Sequence, residues 1–439
     1  MNKIYGPSVI YSMLRIYTNF IFKRWFSSVE INGETNIPEN ASVIFAPNHQ
    51  NALMDAMALL SSVPAPVVFL ARADLFRKKR QADALRSIRI MPAYRIRDGI
   101  QNLKKNEDSF DQSVEVLKHK KFLCLMPEGG QDEHRRLRCL VKGMFRIAFS
   151  TQELLPEGDY VKIVPVGIDY GNYNDTGNHL VVNFGRPISI KDYWEGFQEN
   201  APVAQNHLRD DLYSRMASLM LNIQSEDHYD TFYVASYLYN EQMLNSLCTD
   251  DNETNRLIAR QRVVDLLEQK EKEGDPALNE LDALCSEWMK SHPDVSFSSR
   301  VYEDGKKLDL SLFLHIAYLT VGSVLVFYSL VFNGIPFVLV KKFAKKSKGS
   351  GFEASFVFGA AGLLFPLFYL FYGIVAAFLA PSIWFWLAFI FSLPVSLFFF
   401  IRYRWRWKYV KERFKNISDR CDVVPNIRKC LDRLFGNNQ

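Results

Sequence analysis

Between residues 29 and 195, short apolar runs alternate with stretches whose apolar residues recur at helical intervals. The runs SVIFAP, VVFLA, FLCLM, VKIVPVGI and HLVVNF are nearly continuous in apolar character, as expected of strands buried on both faces of a sheet. Helical patterns such as AMALLSS fall between them, and the alternation predicts an α/β domain around a buried sheet. From about residue 203 to 290 the pattern changes to long polar stretches with helical spacing, such as NRLIARQRVVDLLEQKEKE, with an acidic excess. Those charges read as the solvated faces of helices in a helical extension of the domain.

The last third of the chain is different. No Asp, Glu, Lys or Arg occurs from Ala354 to Ile401, a run long enough for two transmembrane helices of about 20 residues each, with Ala380, Pro381 and Ser382 as the turn. The uncharged run Leu312 to Phe332 is also of spanning length, but Asn333, Gly334 and Pro336 follow it. A turn back inside the membrane is predicted there, provided its backbone groups are buried against other helices. Lys341, Lys342, Lys345, Lys346 and Lys348 follow the first apolar run. Arg402, Arg404, Arg406 and Lys408 follow the last, interleaved with Tyr403, Trp405 and Trp407. Cations and aromatics together mark a bilayer interface, and both clusters read as topological signals rather than specific headgroup sites. The N-terminal IYSMLRIYTNFIFKRWF has helical apolar spacing interrupted by Arg15, which suits a helix lying in the interface rather than a signal peptide. The expected organisation is an interfacial helix over 1–28, the α/β domain over 29–200, a helical segment over 201–305 and a membrane region with a basic tail over 306–439.

Composition excludes some classes. A formal net charge of +5 over 439 residues, with no basic stripe in the polar portion, argues against a nucleic-acid partner. The six cysteines have neither C-x-x-C nor metal-ligand spacing to a histidine, so no metal is expected and the thiols read as reduced and structural.

Candidate chemistry begins in NHQNALMDAM, residues 48–57. On a regular helix His49 and Asp55 would stand about 240° apart, so they can meet only across a turn, such as the strand-to-helix junction that the flanking patterns predict. Paired there, the carboxylate fixes the imidazole tautomer and the pair makes a general base. Further blocks close the other predicted strands. Arg95 and Arg97 follow IMPAY and precede Asp98-Gly99; Pro127, Glu128, Gly129 and Gly130 follow FLCLM; VPVGIDYG is the last. Adjacent glycines let backbone N–H groups approach a ligand, and arginine holds phosphate through paired hydrogen bonds.

The order of these blocks, over roughly residues 30–195, resembles the glycerophospholipid acyltransferases, which include glycerol-3-phosphate and lysophosphatidate acyltransferases. Asn48, His49 and Asp55 resemble the first motif, N-H-x4-D, and Arg95 with Arg97 the second. Met126-Pro127-Glu128-Gly129-Gly130 resembles F-P-E-G-T, Val164-Pro165-Val166 the fourth motif, and Lys142-Gly143 a K-x-G-like segment. Two departures stand out: five residues instead of four separate the histidine from the aspartate, and Gly130 replaces threonine. The longer spacing resembles a subgroup with fungal-type glycerol-3-phosphate acyltransferases and C-terminal membrane segments.

The resemblance implies acyl transfer from a thioester to a hydroxyl, with His49 as base and Asp55 orienting it. Arg95, Arg97, Glu128, Gly129, Gly130 and Lys142 would form the substrate-binding side, with Glu128 ordering its turn. The donor would be acyl-CoA or acyl-carrier protein, used as a substrate with no cofactor, and the acceptor a phosphorylated glycerol. A soluble donor would place the catalytic domain on the cytoplasmic face, among membrane lipids. Two rivals stand beside this reading: another lysophospholipid or an aminolipid as acceptor, and a non-catalytic membrane scaffold that binds headgroups. Retention of both His49 and Asp55 argues against the scaffold.

Overall fold

The computed structural model describes residues 4–93, 103–305, 307–345, 347, 351–419 and 422–436. Its contacts divide the chain into two units. The first comprises Met1–Lys23, Val29–Asp169 and Leu180–Asn222, and the second Arg24–Ser28, Tyr170–His179 and Ile223–Gln439.

The first unit is built on strands β1 (Ser28–Asn32), β2 (Val43–Pro47), β3 (Val67–Arg72), β4 (Ile90–Ala93), β5 (Phe122–Cys124), β6 (Lys162–Tyr170), β7 (His179–Phe184) and β8 (Ile188–Ser189). Its helices are α1 (Val9–Trp25), α2 (Ala52–Ser62), α3 (Lys79–Ser87), α4 (Leu103–Lys118), α5 (Gly143–Gln152), α6 (Lys191–Glu199) and α7 (Ala201–Ala217). The sheet runs β1-β7-β6-β2-β5-β3-β4, with β8 antiparallel on β6. From β6 through β2, β5 and β3 to β4 every pair is parallel. This is the α/β architecture that the alternating pattern predicts. Central β2 is buried at all five residues, and a core of Ile44, Val68, Leu123, Phe145, Phe149 and Ile163 packs around it. In the parallel section the carboxyl ends of β2 and β5 lie side by side, the usual place for a site in such sheets. Helix α1 buries Tyr11 and Phe22 and turns Val9, Met13, Ile16 and Phe20 outward at one helical face.

The second unit has helices α8 (Tyr229–Leu238), α9 (Asn240–Leu247), α10 (Glu253–Glu273), α11 (Ala277–Ser291), α12 (Val295–Glu303), α13 (Leu310–Lys345), α14 (Glu353–Leu379), α15 (Ile383–Ser418) and α16 (Val424–Leu434). Helix α10 covers the polar stretch read above as helical; the Asn252 side chain caps its start, and Gly274, at φ +69°, ends it. Among the described residues, α13, α14 and α15 are long and apolar enough to cross a membrane, and they mark this part of the chain as its membrane region. The turn expected at residues 380–382 separates α14 from α15.

Helix α13 runs without a break in residues, yet its axis turns back at Asn333–Pro336. Going down α13, His315 stacks on Tyr409, Gly322 faces Phe399 and Phe332 meets Phe389, an antiparallel progression along α15. Five residues further on, Phe337 packs against Phe400, and Arg404 lies over its ring at 5.5 Å. A straight helix would leave Phe337 roughly 30 Å from Arg404 along the α15 axis, so the second limb must climb beside α15. The direction of α14 requires the same turn. Tyr369 meets Leu393 and Gly373 meets Ile390, so α14 is antiparallel to α15 and starts at the end where α13 starts.

The local cause is Pro336, which has no N–H to bond the Phe332 carbonyl, next to permissive Gly334. Buried Asn333 fixes the bend. Its Nδ2 donates to Ser329 Oγ (3.1 Å) and Ser396 Oγ (3.0 Å), and its Oδ1 accepts from the Tyr369 hydroxyl (2.7 Å). One amide thus ties three helices together in the apolar layer.

The turn predicts sidedness. In a cysteine-free background, Lys290→Cys and Lys345→Cys should react with a membrane-impermeant maleimide from one side and Ser382→Cys from the other. Labelling of Lys345→Cys from the side opposite Lys290→Cys would establish a full crossing by α13.

Candidate active site

The site grows from the carboxyl end of β2. Asn48 continues the ladder through its side chain: Nδ2 donates to the Ile168 carbonyl at 3.0 Å and Oδ1 accepts the Ile168 N–H at 2.7 Å. This fixes the chain leaving β2 against β6. In the turn that follows, Ala52 adopts φ +45°, a left-handed conformation that costs a non-glycine residue about 1–2 kcal/mol. The five residues between His49 and Asp55 are taken up by this turn and the first residues of α2.

The turn brings the pair together. His49 Nδ1 lies 3.0 Å from Asp55 Oδ2; the Asp55 side chain is fully buried, while that of His49 is 19% exposed. The same oxygen accepts N–H groups from Gln50 at 2.9 Å and Asn51 at 2.7 Å. Three donors on one oxygen hold it in a fixed orientation. With Nδ1 donating to Asp55, the His49 tautomer carries its lone pair on Nε2, where a proton can be accepted.

Glu128 closes the site from the β5 side. Its Oε1 accepts the His49 N–H at 2.7 Å and its Oε2 the Arg138 N–H at 3.1 Å, so one buried carboxyl clamps the base's backbone to the far end of the following loop. Burial pushes this carboxyl up to about 7, against the two backbone hydrogen bonds that favour its charge. Gly129 sits at φ +65°. At Gly130 a Cβ would meet Arg138 Nη2 at 2.9 Å, the end of a flexible side chain that can shift. Arg138 Nη2 also donates to the Glu128 carbonyl at 3.1 Å, so a half-exposed guanidinium rests on the glycine turn. Behind it the fully buried pair Arg135–Asp169, at 2.5 Å, ties the loop to β6. The Asp132 N–H donates to the His49 carbonyl, and Asp132 in turn pairs with His134 at 2.7 Å.

The structure thus unites His49, Asp55 and Glu128 and sets Gly129 and Gly130 beside them. Lys142 stands exposed at the start of α5. Arg95 and Arg97 lie outside the described residues. Arg138, Arg135 and Asp169 were not among the expected site residues. Only Asp169 carried a signal, as an acid inside the apolar VPVGIDYG, which calls for a buried cation. Near Asp55 lies the Cys124 thiol; burial, then the Asp55 charge, push it well up, which disqualifies it as a thiolate nucleophile. The described cysteines are all free, and Cys421 is outside them.

Residues 28–169 match the family model Acyltransferase, a span that holds His49, Asp55, Glu128 and Arg138. Over that span the chain is similar to the acyltransferase family. No curated protein sequence matches this chain. Seven chains of solved structure do. One is the crystal structure of the 1-acyl-sn-glycerophosphate (LPA) acyltransferase PlsC from Thermotoga maritima, at 21% identity, covering 47% of this chain and 80% of that one. Its TM-score is 0.33, and at that value the likeness carries no argument.

The Glu128 clamp predicts a pH dependence of stability. A folded-state pKa of about 7, above the ordinary 4.5, means that the folded protein holds the extra proton between those values. The stabilising contribution is complete below the ordinary value and is lost as pH rises through about 7. Thermal unfolding of the wild type and Glu128→Gln across that range should therefore move in favour of the variant by about 3 kcal/mol as pH rises. A stability difference that stays flat with pH would show that Glu128 titrates normally.

Proposed function

We propose that this acyltransferase moves a fatty acyl group from a thioester donor, acyl-CoA or acyl-carrier protein, to the hydroxyl of lysophosphatidate or glycerol-3-phosphate at a membrane. The observation that carries the reading is the His49–Asp55 pair, with its carboxylate buried and its imidazole reachable. As the acceptor oxygen attacks the thioester carbonyl carbon, its proton passes to His49 Nε2. Asp55 stabilises the imidazolium that forms, the C–S bond breaks, and the proton is returned to the departing sulfur. The ester oxygen comes directly from the acceptor, so no acyl-enzyme is formed, which accords with the protonated state of Cys124.

The acceptor phosphate is assigned to Arg95 and Arg97 by their place in the motif order, with Lys142 as a further cation. Arg138 on the Gly129–Gly130 turn adds a guanidinium close to the base. Glu128 acts through that turn rather than on the anion. The membrane region keeps the domain at the surface where a lipid acceptor and product reside. A soluble donor and the preference of cationic loops for the inner side support a reaction at the cytoplasmic face.

Purified full-length protein supplied with labelled acyl-CoA and a panel of glycerol-3-phosphate, lysophosphatidate, another lysophospholipid and an aminolipid should acylate one of the first two most rapidly. Preference for one of the others would reassign the acceptor, and no transfer to any would leave the scaffold reading. His49→Ala should slow transfer about 10²- to 10⁴-fold while the protein stays folded. Arg95→Ala should raise KM for the phosphorylated acceptor more than for the donor. Arg95→Lys should restore it only in part, since an ammonium lacks the planar fork, and Arg97→Ala should have the smaller effect.

A further inference from the structure

Helix α1 has the polarity of a soluble surface helix turned inside out. At 100° per residue, Ile16, Val9, Phe20, Met13 and Ile10 fall within about 120° of its circumference, and each is more than half exposed. Arg15 is the one charge between residues 9 and 20, and it points the other way. Its Nη2 donates to the Val63 carbonyl at 2.5 Å, where α2 ends. Tyr11 and Phe22 are buried on that inner side. The Arg89 guanidinium lies 4.4 Å over the Tyr11 ring and donates to the Gly6 carbonyl at 2.9 Å. The helix is thus fastened to the first unit by the side that carries Arg15 and presents its apolar stripe outward. Sequence spacing cannot tell which side faces out; packing the stripe on the core would have left α1 an ordinary surface helix.

At its far end α1 joins the membrane region. Trp25, its last residue, and Phe358 both belong to the second unit, and their rings pack edge-on with centroids 5.8 Å apart. Phe358 is five residues from the Glu353 start of α14, and a charged end of a spanning helix lies at the level of the headgroups. The exposed Lys23 and Arg24 stand in the same last turn of α1. With 17 residues and Arg15 near its middle, α1 is too short to cross a hydrocarbon core of roughly 30 Å. We propose that α1 lies in the bilayer surface with Val9, Met13, Ile16 and Phe20 sunk among the lipid acyl chains, as a second hold on the membrane, made by the first unit itself. An outward stripe free of charge, ended by cations and a tryptophan, suits that layer. The occupant is lipid rather than a second copy: a helix joined to a spanning segment meets lipid at high effective concentration, whereas another copy has to be recruited. Through Arg15 and Val63 the hold bears on α2, the helix that carries Asp55. The assignment does not depend on the acyl-transfer reading.

The test uses the full-length protein in a cysteine-free background, reconstituted into phosphatidylcholine vesicles, with a nitroxide label at Met13→Cys, Ile16→Cys or Phe20→Cys. Relative collision rates with oxygen and with a water-soluble nickel chelate give the depth of each label. All three should lie about 5–10 Å into the headgroup–acyl boundary, while a label at Lys290→Cys stays in water. Met13→Asp with Ile16→Asp should return the Phe20→Cys label to the aqueous value. The same variant should keep its thermal unfolding in detergent and its resistance to carbonate extraction, because both positions are exposed and α13, α14 and α15 are untouched. Aqueous values at all three positions without the Asp substitutions would overturn the proposal, as would an unchanged depth at Phe20→Cys in the double variant. Labels shielded from both oxygen and nickel, with spin–spin broadening between copies, would overturn it in favour of a second copy on this face.

Discussion

The Asp55 carboxylate is withdrawn from water, yet one of its oxygens accepts from His49 Nδ1 and from the N–H groups of Gln50 and Asn51. An unpaired charge in that position would be strongly destabilising, so the backbone turn, the imidazole and the carboxylate hold one another in place. Much of the first unit supports that constraint. Asn48 anchors the turn to β6, Glu128 fastens the His49 backbone to the loop after β5, and Arg135 with Asp169 holds that loop down. The exposed part of the arrangement is the imidazole edge.

How much of this was legible depended on whether the signal was local. The five strands that are apolar over most of their length were readable from the chain. Strand β4 was not, because Pro92 interrupts it; it sits at the sheet edge, where a missing N–H is tolerated. Half-buried β1 and two-residue β8 carry too little pattern to be noticed. His49 and Asp55 could be paired because six positions span one strand-to-helix turn. Arg138 on Gly130 and Arg135 on Asp169 depend on loop closure across the sheet, which no spacing rule reports.

The same distinction holds in the membrane region. Asn333, Gly334 and Pro336 announce a bend, and the bend is there. What holds it is invisible in the sequence: the hydroxyls of Ser396 and Tyr369 come from two other helices. In an apolar medium an amide such as Asn333 must find partners within the protein, and satisfying it fixes how the three helices meet.

The central claim is that His49 and Asp55 act as one catalytic unit in direct acyl transfer. A double-mutant cycle on turnover tests it most directly, using His49→Ala, Asp55→Asn and the pair together with one acceptor and one acyl donor. If the carboxylate works only through the imidazole, the double variant should be little slower than His49→Ala alone. Losses that multiply would contradict the account, because they would give Asp55 a role of its own in the reaction.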